Sequence, residues 1–278
     1  MKNTISFSSR FLLFVFVSLF AGSLYAQVRG NGIVEEQTRD ISGFSAISSV
    51  GSVDVYVKQG DAFSVVVRAD GNLLNYIKTE VRNNTLIISV TKNIWRAKTM
   101  EVHITMKSLQ KVMLLGSGDF YCKSPFSVQN LQFVLSGSGD AHAVLKASNV
   151  QIKVSGSGDV DLSGIRGNLS IGISGSGDVE ADGLQLENCT LKVTGSGDVA
   201  LNGRTAQLTA VVVGSGDVEA GGLAAVSVNV KNTGSGDMTI HAIDKLEATL
   251  AGSGDLGYIG NPAVLKVNAS GSGDVYKK

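Results

Sequence analysis

The sequence predicts an all-β fold, a parallel β-solenoid of rungs about 19 residues long, with a less regular β half at its N-terminal end. Two observations predict it. The tetrapeptide Gly-Ser-Gly-Asp recurs nine times, starting at Gly116, Gly137, Gly156, Gly175, Gly195, Gly214, Gly234, Gly252 and Gly271. Repeats this regular mean stacked copies of one unit, because no single copy buries its own apolar face. Second, the residues two, four and six places before each tetrapeptide are apolar except Gln110 and Asn232, while those between are mostly polar. Period two is the mark of a half-buried strand.

Each repeat then divides into elements. A strand such as Val150-Gln151-Ile152-Lys153-Val154 leads into the tetrapeptide, and a shorter one follows it, as in Val160-Asp161-Leu162. A second turn is expected to close the rung. The two glycines of the tetrapeptide are expected to supply positive φ at a tight corner, and the aspartate to accept N–H groups two residues on. Rungs stacked about 4.8 Å apart make a rod roughly 40 Å long. The crossover rule favours a right-handed winding for parallel strands.

Stacking places Asp119, Asp140, Asp159, Asp178, Asp198, Asp217, Asp237, Asp255 and Asp274 in one column. Neighbouring carboxylates there repel by about 1 kcal/mol in water. Either turn N–H groups satisfy each carboxylate, or a cation offsets the charge. Calcium, which takes carboxylate and carbonyl oxygens, would be the cation. Cys122 and Cys189 both fall on inward positions three rungs apart, beyond disulfide reach, and read as buried free thiols.

The N-terminal half, residues 27–115, shows a degenerate tetrapeptide at Gly51-Ser52-Val53-Asp54 and strand patterns at 63–67, 85–90 and 100–106. Residues 70–80 suit one helical turn or a bulky loop. Trp95, Arg96 and Lys98 sit in a break between strands, as a candidate ligand-binding loop or as a turn whose tryptophan caps the rod. Residues 116–278 form the repeating half.

Residues 1–26 have the make-up of a signal peptide. Lys2 and Arg10 precede an apolar run from Phe11 to Phe20, and cleavage is expected after Ala26. The run is too short to cross a membrane as a helix. Periplasm, outer surface or medium are the expected locations. Lys plus Arg and Asp plus Glu number 24 each, so bulk charge does not call for nucleic acid.

Nothing in the sequence assembles a catalytic group. His103, His142 and His241 lie on separate rungs, no cysteine pairs with a histidine, and no serine sits in a nucleophile elbow. A β-helical enzyme acting on carbohydrate is the alternative, since Asp161, Glu180 and Glu219 fall on one outward file, broken at Ala200. Such a groove needs long walling loops, and spacings here never exceed 21 residues. A further alternative is a periplasmic binding or sensing module that depends on a cation.

The segments Asp40 to Asp61 and Leu73 to Val90, followed by the repeated Ser-Gly-Ser-Gly-Asp-Val, resemble the head GIN domain family of auto-transporter adhesins. The resemblance covers roughly residues 35–275. It implies a secreted all-β solenoid without an established activity, and hence a structural or adhesion-type module meeting an unidentified protein or glycan. No β-barrel pattern follows the last repeat, so autotransport in the strict sense is not expected. The rung ending at Val275 to Lys278 shows no capping element, so its edge is expected to pair with a second copy or to be blunted by Lys277 and Lys278.

Overall fold

The computed structural model describes residues 27–278; the signal-peptide reading falls on residues 1–26, outside that range. The regular structure of the described chain is almost entirely β, and parallel strands about 19 residues apart stack into a β-solenoid of about nine turns. Strands Phe120–Leu135, Ala141–Val154, Val160–Ile173, Val179–Val193, Val199–Val212, Val218–Asn232 and Met238–Leu250 pair parallel, each with the next. In every one, the alternate side chains that the sequence marked as apolar point into a single continuous core.

The rung departs from expectation at its second corner. The last full rung has the expected second turn, between Leu256–Ile259 and Val264–Ala269, but in the seven rungs before it the strand after the tetrapeptide does not stop. It runs on into the strand before the next tetrapeptide, and the bend is taken by register shifts inside it, as between Ala181 and Leu184. Gly164, Gly183 and Gly203 sit at these bends with φ of 82°, 64° and 138°. A bulge turns the corner while keeping most of the ladder paired, so no backbone group is lost to a loop.

The tetrapeptide glycines do a different job from the one expected. None of them has positive φ. What excludes a side chain is the neighbouring rung: a Cβ on Gly177 would lie 2.1 Å from the carbonyl oxygen of Gly158, and one on Gly156 1.9 Å from that of Gly137. The rungs close up here because each serine N–H reaches the first glycine's carbonyl one rung below, for example Ser176 to Gly156 at 3.0 Å.

Of the two polar residues on inward positions, Asn232 is fully buried, and its amide donates to the Gly236 carbonyl while accepting the Gly234 N–H. Gln110 instead turns outward, and Leu109 takes the core position.

In the N-terminal half the rod is closed by antiparallel strands. Ser64–Asp70 lies between Val34–Arg39 and Met100–Met106, and Ile77–Arg82 pairs with Thr85–Val90. A short 3-10 helix, Gly71–Leu73, crosses between the two faces and drives Leu73 and Leu74 into the core. Arg39 donates to the carbonyls of Leu74 and Ile77, and burial lowers its pKa below the usual guanidinium value. At the other end the strand Val264–Ala269 is exposed along its whole length, including Leu265 and Val267.

Candidate functional site

The aspartate column forms as expected, but its hydrogen bonds run between rungs and not within the turn. Each carboxylate before Asp274 accepts the backbone N–H of the aspartate one rung on: Asp140 to Asp159 and Asp159 to Asp178 at 2.8 Å, Asp178 to Asp198 at 2.7 Å. Asp54 joins as its first member, accepting from Asp119 at 3.0 Å. These N–H groups are what offsets the repulsion between neighbouring carboxylates. At the start of the ladder the offset is incomplete. Asp54 has its pKa raised, by burial first and then by the charges of Asp119 and Glu101.

With one oxygen engaged in the ladder, a carboxylate has one left over, except at Asp119, whose second oxygen accepts the Tyr121 hydroxyl. Calcium needs six to eight oxygen ligands. Among the described residues no three His, Cys, Asp or Glu side chains gather around a point that could hold a metal ion.

The file beside the aspartates holds a more selective arrangement. Register pairs His103 with Tyr56, Tyr56 with Tyr121 and Tyr121 with His142, so four ring-bearing side chains from four adjacent strands stand in one column. Their rings stack: His103 on Tyr56 with centroids 4.8 Å apart, Tyr56 on Tyr121 at 5.0 Å, and Tyr121 on His142 at 5.4 Å, with interplanar angles of 11°, 19° and 14°. The same file then continues through Asp161, Glu180, Ala200 and Glu219. The acidic file expected from the sequence is therefore the continuation of an aromatic one.

Charge is sorted to the two sides of the rings. On one side Glu101 lies 2.8 Å from the His103 ring nitrogen and 3.2 Å from Arg68, and the Tyr121 hydroxyl donates to Asp119 at 2.9 Å. Burial, that hydrogen bond and the Asp119 charge together push the Tyr121 phenol far above its ordinary pKa. On the other side stand Lys58 and Lys123. The Lys123 ammonium lies 5.4 Å from the Tyr121 ring centroid and 5.8 Å from that of Tyr56. Among the described residues neither lysine forms an ion pair. Between rings and lysines runs a groove of about 380 Å³, completed by Ser64, Thr105 and Ser124.

A groove of about 440 Å³ adjoins it, lined by Tyr121, Lys123, His142 and Asp161, and two larger ones lie along the rod. One, of about 520 Å³, is lined by Asn130, Asn149, Asn168 and Asn188, whose amides hydrogen-bond one another in a ladder at 2.8 Å. The other, of about 850 Å³, carries Arg166 and Arg204 above the exposed Val226 and Ile243.

Trp95, Arg96 and Lys98 do not join the ring column. The short strand Ile94–Arg96 pairs with Val28–Arg29, and Trp95 is 64% exposed with the Arg29 guanidinium 5.8 Å from its ring centroid. It covers no core, and Leu73 and Leu74 do that at this end. Two members of the column, His103 and Tyr56, follow no intact tetrapeptide, which obscures it in the sequence. The signal was nonetheless present: Tyr56, Tyr121 and His142 each stand two residues past Asp54, Asp119 and Asp140. His241, by contrast, belongs to another file, opposite Ala224.

A family described as putative auto-transporter adhesin, head GIN domain, matches residues 43–202 and 192–262. The chain belongs to this family. Among solved structures, this head GIN protein is similar to one described as a putative lipid binding protein from Parabacteroides distasonis, 26% identical, with a TM-score of 0.67 over 91% of this chain and 99% of that one. A putative adhesin from the same organism is 25% identical, with a TM-score of 0.63 over 91% of this chain and 100% of that one. One from Parabacteroides merdae, at 24% identity and a TM-score of 0.60 over 90% and 99%, shares the fold. No curated protein matches the chain.

Proposed function

We propose that this head GIN protein is an exported, non-enzymatic adhesion-type module of the bacterial cell envelope, and that the groove beside the stacked rings is its contact surface. The observation that carries this reading is the sorting of side chains around that column. A rigid solenoid face, otherwise repetitive, presents aromatic edges and two lysines without ion-pair partners at one place. Backbone ladders hold that place fixed, so a partner meets a preorganised surface and little ordering entropy is lost on binding. The family and the solved relatives described as adhesins support the same reading. Enzymatic use of the face is not favoured: Asp161 and Glu180 lie on adjacent rungs of an open file, with no walling loop between them.

A second reading, lipid binding, draws on the wide groove where Arg166 and Arg204 stand beside exposed Val226 and Ile243, and on the description of one solved relative. Protease shaving of intact cells tests the first reading. Loss of the chain from unbroken cells is expected. Full protection until the outer membrane is opened would overturn it and leave a periplasmic role, with lipid carriage in front.

A further inference from the structure

We infer that the groove between the ring column and Lys58 and Lys123 binds the terminal carboxylated sugar of an acidic saccharide. The inference rests on the adhesion reading and names its ligand class. Because the rings of His103, Tyr56, Tyr121 and His142 are stacked on one another, their faces are occupied and their edges look outward. Ring edges carry the positive part of the quadrupole. Together with two ammonium groups that make no ion pair among the described residues, they give the groove a positive lining suited to an anion.

Two features favour a sugar. Ser64, Thr105 and Ser124 add hydroxyls that exchange hydrogen bonds with a polyol. A volume of about 380 Å³ lies at the small end of ligand clefts.

The same file also limits the ligand's length. Past His142 come Asp161, with a carboxylate oxygen 3.5 Å from the His142 ring nitrogen, and then Glu180. A polyanion laid along the file would meet these carboxylates, so one acidic end residue is accommodated and a long acidic chain is repelled.

Titration calorimetry of the chain from residue 27 with a galacturonic acid trisaccharide, and with the same trisaccharide fully methyl-esterified, tests this. The acid form is expected to bind, and more weakly as salt rises, with the ester at least tenfold weaker. Lys123→Gln and Lys58→Gln are each expected to weaken binding about fivefold with no change in melting temperature, whereas Arg166→Gln leaves it unchanged. Asp161→Lys is expected to tighten binding of longer oligogalacturonates. Equal binding of acid and ester, binding of neither, or a loss caused by Arg166→Gln and not by Lys123→Gln would overturn the inference. Failure of the sugar to bind a chain that shaving places on the cell surface sinks this inference alone, whereas protection from shaving sinks the adhesion reading.

Discussion

The two halves of the molecule share one core and keep it closed by different means. Residues 116–278 use one device repeatedly: a glycine that lets rungs touch, a serine N–H to the glycine carbonyl below, and a carboxylate to the next aspartate N–H. Residues 27–115 use single, local solutions. Antiparallel strands, a 3-10 crossing and a buried Asp70 serve there. Repetition makes a long rod from little information, and it leaves the outer files free to vary. The variation that looks functional sits where the halves meet, at Tyr56, Tyr121 and His142.

Glycine substitution should separate the halves most sharply. Gly177→Ala puts a Cβ 2.1 Å from a backbone oxygen of the adjacent rung, and rigid backbone cannot yield to it. A loss above about 4 kcal/mol is expected, or no cooperative unfolding at all in denaturant. Gly43→Ala in the N-terminal half meets open space and carries only the strain of φ 76°, so about 1 to 2 kcal/mol is expected. If both variants melt alike, the close approach of rungs is not what fixes the repeat.

The core should show a milder contrast. Phe120 and Phe133 pack edge to face with centroids 5.8 Å apart where the halves join, and both are fully buried. Phe133→Ala is expected to cost about 3 to 5 kcal/mol, and Ile171→Val, inside the repeat, about 0.5 to 1.5 kcal/mol. Urea unfolding midpoints measure both.

Carboxylates give the next step down. Asp70, 1% exposed, accepts the N–H groups of Gly32, Lys98 and Thr99, so Asp70→Ala orphans several donors and is expected to cost about 2 to 3 kcal/mol. Asp178→Ala frees only the exposed Asp198 N–H, which water can take up, and about 1 kcal/mol is expected. Asp178→Asn keeps an acceptor and removes a like charge, so its melting temperature should match or exceed the parent's at low salt.

The repeat was legible in the sequence because strands, turns and core positions recur with a countable phase. What escaped it depends on distances between rungs. That Gly177 is needed for clearance and not for φ follows from its position over Gly158, which no local rule reports. The second corner hid because a bulge leaves the strand pattern unbroken across Gly183. The ring column hid because His103 arrives on a strand without the tetrapeptide, inserted by the antiparallel excursion between Asp54 and Asp119. Counting two residues past every aspartate would have found three of its four members.

Alkaline titration also distinguishes the halves. Burial raises the thiols of Cys122 and Cys189 from 9.0 to about 11 and about 12. Each therefore contributes stability that is fully present below pH 9.0 and is lost as pH rises through those values, because the unfolded chain releases the proton first. Both thiols lie in or beside the repeating half, so its strands should loosen first above pH 9.0, ahead of the antiparallel end. Hydrogen exchange measured from pH 8 to pH 11 would follow this, with Cys189→Val expected to flatten the decline. An unchanged slope in that variant would place the alkaline weakness elsewhere, with the raised Tyr121 phenol at the junction as the next group to remove.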